Sequence, residues 1–214
     1  MYGNECVDPR TIAWCSKWPD SAVRYEHISN QTEGCGLTGT WLRGALACMR
    51  DPTIACVVIA NQDCVFNPSV KHLVKVAVQS DLLAGPILEE THAYMIPEAQ
   101  DKRRLRPILE KYPQLSGVVI TPKSFPSRPI CAPHGSCICA SRNFWKQYPA
   151  LEHMPWRTHP FDANEVVWGL NLKKAQCKGY MVAVRCRVEH AHEATWRHMS
   201  GRPAEQLEIV DSFL

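Results

Sequence analysis

The sequence predicts an α/β protein, with helices layered on both faces of a mostly parallel central sheet. Two observations carry that expectation. The run from Pro52 to Ala60, PTIACVVIA, is short, apolar and rich in β-branched residues without alternation, the pattern of a strand covered on both faces. It is followed at once by a helix signal, and further strand-length apolar runs then recur at 82–88, 117–122 and 180–190 with helical or loop segments between them.

In chain order, GCGLTGTWLRGAL (34–46) opens a glycine-rich helix, and PTIACVVIA runs into the polar tripeptide Asn61-Gln62-Asp63. In the next segment, NPSVKHLVKVAVQSDLLAGP, Asn67 suits an N-cap and Pro68 the first helical position, while Val70, Leu73, Val74, Ala77 and Val78 form one apolar face. LLAGPIL (82–88) reads as a short strand, and the basic cluster Lys102, Arg103, Arg104 and Arg106 after it reads as a solvated face. GVVITP (117–122) is a further strand, and a proline-rich connection leads to SCICASRNFWKQYP, a strand running into a helix. A helix is expected from Asp162, with Val166, Val167 and Leu170 on its apolar face, Lys173 and Lys174 in its last turns and Gly179 as its stop. YMVAVRCRVEH then alternates, with Val182, Val184, Cys186 and Val188 on one face and Arg185, Arg187 and Glu189 on the other, and ends at His190.

The chain of 214 residues is long enough to bury a core, and 45% hydrophobic with 21% charged residues is an ordinary globular balance. A formal charge of +3 is too small to argue for a nucleic-acid binder, which needs a concentrated basic face, and it remains compatible with an anionic small ligand. The first residues, MYGNECVDPR, lack the apolar core of a signal peptide, and a soluble, cytoplasmic protein without a transmembrane segment is expected. Eleven cysteines are an odd number, and Cys48, Cys56 and Cys186 sit in apolar runs, so reduced thiols are favoured over a disulfide framework. The run CAPHGSCIC, with Cys131, His134, Cys137 and Cys139, lacks the paired spacing of a structural zinc site, and loop-and-strand packing is the simpler reading.

Taken together and in order, the glycine-rich helix start, the strand ending in NQD, the following NP and helix, AGPIL, GSCICASRNFW, NEVVWGLNLKKA and the strand ending in His resemble the GT-A nucleotide-sugar glycosyltransferases, especially family 2 with its rhamnosyltransferase-like members. The resemblance runs from about residue 2 to residue 190. It implies a single-domain, Rossmann-like three-layer α/β/α sandwich of GT-A type with a mostly parallel sheet. Residues 1–85 would form the nucleotide-sugar-binding half, 86–190 the acceptor-binding half and 191–214 a C-terminal arm. A counterpart of the family's first strand is missing.

By this resemblance Asn61-Gln62-Asp63 corresponds to the family's DxD motif in its N-x-D form, so Asp63 would ligate Mn2+ or Mg2+ and, with Asn61, hold the diphosphate of the donor. A hard cation on oxygen ligands suits a nucleoside diphosphate leaving group. Without the resemblance, an Asp just past a strand is a turn former. Glu165 aligns with the family's Glu-Asp pair as general base toward the acceptor hydroxyl, implying an inverting displacement. Asp162 to Glu165 equally fits a D-x-x-E capping box. His190 matches a histidine that in some members approaches the metal or diphosphate, with His192 as substitute. Gly34, Gly36 and Arg43 resemble a stretch beside the nucleotide, and Asn4 matches a position at the end of the family's second strand, where Gly3 stands for an Asp. Trp145 and Trp168 lie in the acceptor half and are candidate sugar-stacking rings, core packing being the alternative.

The implied activity is transfer of a sugar from a nucleotide diphosphate sugar to a hydroxyl of a glycan or glycoconjugate. The alternative is a catalytically inactive, GT-A-like glycan-binding or scaffold protein, to which Gly3, Asn61 and the order Asn164-Glu165 point. A small zinc-binding module is a third reading.

Overall fold

The computed structural model describes residues 2–4, 13, 26–28, 36–61, 64–89, 102–121, 132–154 and 164–190. Asp63, Gly34, His192, Cys131, Asp162 and the arm 191–214 lie outside them.

In chain order the elements are β1 (Tyr2–Asn4), β2 (Glu26–Ile28), α1 (Gly36–Met49), β3 (Cys56–Ala60), β4 (Cys64–Val65), α2 (Val70–Ser80), β5 (Ala84–Glu89), α3 (Lys102–Lys111), β6 (Val118–Ile120), β7 (Cys137–Ser141), α4 (Arg142–Gln147), a 3-10 turn (Pro149–His153), α5 (Asn164–Lys174) and β8 (Tyr180–His190). β1 and β2 form a separate parallel pair. The other six strands form one sheet in the order β3-β7-β5-β8-β4, with β6 also paired to β8. The expected division at residue 85 falls inside β5.

The α/β class holds, but the mostly parallel sheet does not: among the described residues only β5 and β8 pair in parallel within this sheet, and the other pairings are antiparallel. A non-alternating apolar run reports burial on both faces and carries no information about direction, so β7, buried at every position, enters between β3 and β5 running against both. β3, β5 and β8 still share one direction. Their carboxyl ends therefore lie at one end of the sheet.

Two apolar clusters flank the sheet. Helix α2 packs Leu73, Val76 and Ala77 over Cys137, Cys139, Ala183, Cys186 and Val188. On the opposite face, Leu42 and Ala45 of α1, Leu105 of α3, Phe144 and Trp145 of α4 and Val167, Trp168 and Leu172 of α5 cover Ile59, Ile87, Ile138, Val182 and Val184. The expected single apolar face of β8 is thus split. Val182 and Val184 face the α1 side, whereas Cys186 and Val188 face α2. The cause is a bulge, because the register passes from Pro86 opposite Ala183 to Ile87 opposite Arg187, at a proline that has no N–H for the ladder.

Helix ends differ from the expected ones for local reasons. Helix α2 begins at Val70 rather than Pro68, since Asn67 Oδ1 accepts from the Ser69 N–H at 2.8 Å and closes an Asx turn first. Its inward face is Leu73, Val76 and Ala77, and Val78 is 42% exposed. Helix α5 is described over Asn164–Lys174, and past its end Gln176 takes φ 59, with Cys177 N–H bonded to Leu172 O at 2.9 Å and Gln176 N–H to Lys173 O at 3.0 Å. This is a Schellman motif with glutamine in the left-handed position that usually holds glycine. Gly179 is needed for a different reason. A Cβ there would stand 2.1 Å from Ile120 O, so only glycine lets β8 begin this close to β6.

The Arg142 guanidinium joins three segments. Its Nε and Nη2 donate to Ile54 O at 2.9 and 2.6 Å, Nη1 donates to Met49 O at 2.8 Å, and Nη2 also bonds Asp51 O. A cation thereby satisfies carbonyls at the carboxyl end of α1, where the helix dipole is negative.

Gln176→Gly is expected to raise stability by about 0.5–1 kcal/mol in urea unfolding, because the left-handed cap then carries no Cβ penalty. Gly179→Ala is expected to lower it by at least about 2 kcal/mol, since backbone rather than a side chain blocks the new methyl, and circular-dichroism melts would register the loss.

Candidate functional site

The carboxyl ends of β3, β5 and β8 collect the polar residues that the apolar strands lack. Asn61 follows β3, Glu89 ends β5 and His190 ends β8, while the loop before the antiparallel β7 brings His134 and Ser136 to the same end. In open α/β sheets this is where ligands bind.

Hydrogen bonds hold the end of β3 in place. Asn61 N–H donates to Ser136 O at 2.8 Å, Cys64 Sγ donates to the same oxygen at 3.1 Å, and Cys64 N–H donates to Asn61 O at 3.2 Å. The last of these ties the start of β4 directly to the end of β3. Asn61 and Cys64, the described residues on either side of Gln62 and Asp63, are thereby held together.

His134 and Ser136 are both buried. His134 Nδ1 accepts from the Ser136 N–H at 3.2 Å and lies 2.8 Å from Ser136 Oγ. With Nδ1 as acceptor, the proton of the neutral imidazole sits on Nε2. This pair was visible in the sequence only as part of CAPHGSCIC, with nothing to mark its role as the brace beneath Asn61.

β4 carries the chain from the tripeptide to β8. Cys64 pairs with His190 and Val65 with Glu189, so the residue directly after Asp63 is the register partner of His190. Beyond β4 side chains continue the pairing. Ser69 Oγ accepts from Arg187 N–H at 3.1 Å and donates to Arg187 O at 3.3 Å, and Asn67 Nδ2 lies 3.4 Å from that oxygen. Ser69 therefore ties α2 to β8 and makes no capping bond to its own helix. Beneath this junction burial pushes the thiols of Cys137 and Cys186 above the ordinary range, so both stay protonated.

Of the residues singled out from the sequence, Asn61 and His190 both stand at this end of the sheet, each linked to Cys64, and Asp63 lies outside the described residues between Asn61 and Cys64. Glu165 is the second residue of α5, whose buried face packs on the α1 side, and Gly36 opens α1 with Arg43 exposed along it. Asn4 ends β1, which contacts α1. Gly34 is not described.

The tryptophans are placed differently from the sugar-stacking expectation. Trp168 is 0% exposed and lies 6.3 Å from Trp145, which meets Phe144 edge to face at 5.3 Å. A stacking platform needs an open ring face, so Trp168 belongs to the core. Trp145 is 8% exposed and borders a shallow recess with Leu46, Met49, Arg142, Lys146 and Glu152. Periodicity alone did not separate these fates, because the same helical positions serve a core and a binding face.

Among the described residues no three His, Cys, Asp or Glu side chains form a metal-binding group, and no helix is long and apolar enough to cross a membrane. No family model matches the chain, and no match was found among curated proteins.

Ser69→Ala is expected to cost about 1–2 kcal/mol, because it removes the two Ser69 Oγ bonds to the Arg187 backbone. Hydrogen exchange at the Arg187 amide should accelerate, while exchange at the β3–β7 ladder stays unchanged.

Proposed function

We propose that this chain is a nucleotide-sugar-dependent glycosyltransferase of GT-A type, moving a sugar from a nucleotide diphosphate sugar to a hydroxyl of a glycan or glycoconjugate. The observation that carries the reading is the register of Cys64 opposite His190, which joins the Asn61-Gln62-Asp63 segment to the end of β8 at the carboxyl ends of three co-directional strands. The order of motifs along the chain supplies the specific activity. A cytoplasmic setting fits it, since a reducing compartment keeps thiols such as Cys137, Cys139 and Cys186 free.

The donor set suits the implied metal: a carboxylate, a carboxamide oxygen and an imidazole are ligands that Mn2+ accepts, and Mg2+ accepts the oxygens. Asp63 and His190 would hold the ion, with Asn61 beside the diphosphate. When bound, the cation supplies charge neutralisation for the departing nucleoside diphosphate. Glu165 takes the proton from the acceptor hydroxyl as that oxygen attacks the anomeric carbon from the face opposite the leaving group, giving inversion. Asn4, Gly36 and Arg43, grouped on β1 and α1, would border the nucleotide. Trp168, enclosed in the core, has no role at the acceptor.

Thermal unfolding with UDP-, GDP- and dTDP-sugars, with and without Mn2+, tests the donor site. A nucleotide at a hundredfold excess over its Kd stabilises by about 2.7 kcal/mol, here roughly 5–10 °C in Tm. One nucleotide should give this shift only with the metal, and Asp63→Ala should abolish it. Glu165→Gln should keep the shift and lower turnover by about 10²–10⁴-fold. No shift with any nucleotide overturns the proposal. A shift without turnover in the wild type, measured as nucleoside diphosphate release against a panel of glycans, supports the non-catalytic glycan-binding reading instead.

A further inference from the structure

The α2 face of the sheet carries a pair of thiols that the donor site does not use. Cys56 opens β3, the edge strand, and Cys139 lies in the middle of β7. Val58 is opposite Cys139 and Cys56 opposite Ser141, so the two cysteines are diagonal neighbours across an antiparallel pair. Both point into the same apolar cluster, and their sulfurs stand 3.1 Å apart. That is a thiol–thiol hydrogen bond, about 1 Å longer than a covalent S–S bond.

The two sulfurs are unequal. Cys139 is 0% exposed, whereas Cys56 is only partly buried and follows the exposed Ala55. The hydrogen bond from Cys139 holds the Cys56 thiol below the ordinary range, and the same bond, with burial, pushes Cys139 well above it. A partly exposed sulfur in contact with a fully buried one, 3.1 Å away, matches the division of labour between an attacking and a resolving thiol. The other buried thiols of this face, Cys137 and Cys186, are held protonated by burial.

We propose that Cys56 and Cys139 form a reversible thiol–disulfide site, in which Cys56 reacts with a small hydroperoxide and Cys139 resolves the product. The Cys56 sulfur attacks one peroxide oxygen, the O–O bond breaks, and hydroxide leaves to be protonated to water, giving Cys56 sulfenic acid. The Cys139 sulfur then attacks the Cys56 sulfur. The S–S bond forms, the S–O bond breaks, and the departing hydroxide takes the Cys139 proton as a second water. Two thiols have lost two electrons and the peroxide has gained them. Two equivalents of a low-molecular-weight thiol reverse the step by exchange. The disulfide staples edge strand β3 to β7 on the strand that leads to Asn61.

The test treats the full chain with limiting hydrogen peroxide, blocks residual thiols and maps peptides by mass spectrometry. The expected result is one dominant cross-link, Cys56 to Cys139, lighter by two hydrogens and lost on treatment with dithiothreitol. In the reduced protein Cys56 should alkylate at least about tenfold faster than the half-buried Cys48. Cys139→Ala, or Cys139→Ser if alanine unfolds the chain, should instead accumulate a Cys56 sulfenic acid that dimedone traps. Cross-links spread over other cysteines, Cys56 alkylation no faster than that of Cys48, or a persistent Cys56 sulfenic acid in the wild type would each overturn the proposal. The wild-type map stands whether or not either variant folds.

Discussion

The pairing of β8 with three other strands is the constraint on which the rest of the molecule depends. This strand accepts β5 in parallel and β4 and β6 antiparallel, at different stretches of its length. One straight strand has only two edges, and the bulge at Val184, Arg185 and Cys186 is what allows a change of facing along it. Its first part serves the cluster under α1, α4 and α5, and its last part serves the cluster under α2. Because β4 and the side chains of Asn67 and Ser69 hold the far end, that end is a fixed point against which Cys64 is positioned.

A second set of bonds works from the opposite corner. Arg142 gathers the carbonyls of Met49, Asp51 and Ile54, and its own N–H bonds Ala55 O at 2.8 Å. The entry to β3 is therefore anchored by α4, as its exit is anchored by Ser136. A strand held at both ends keeps its backbone in register although, among the described residues, only one side is paired. The thiol pair lies between those anchors. A polar contact and a reactive contact thus share one five-residue strand without competing, since Cys56 and Cys139 face α2 and the bonds of Asn61 lie past its end.

Much of the architecture was legible because it rests on local chemistry. The β-branched run at 56–60, the proline and asparagine before α2, the apolar stripe of α2 and the strand into helix at 137–147 all report burial and capping, which are properties of near neighbours in sequence. Strand direction was not legible, because a strand buried on both faces looks alike whichever way it runs. The end of α5 misled for a related reason: glycine at 179 has a clear sequence signature, but glutamine at 176 has none, and its left-handed conformation follows from the bonds to Leu172 and Lys173. The tryptophans illustrate the same limit. An aromatic ring at a helical position can face a sugar or a core, and only the layer above it decides.

For the site, the sequence offered Asn61, Asp63 and His190 as separate strand ends, more than a hundred residues apart in the case of His190. Nothing in the spacing of Asn61 and His190 requires their strands to end on the same side of the sheet. By itself the sequence determined which segments are apolar enough to be buried, which of them are helical and which polar residues stand at strand ends, since these follow from side-chain chemistry and short-range backbone geometry. Only the tertiary structure decided that β7 runs against its neighbours, that Cys64 lies opposite His190, that His134 and Ser136 brace Asn61, and that Cys56 reaches Cys139. Those are pairings across long stretches of chain, and they are selected by the total burial of two clusters rather than by any one residue's preference.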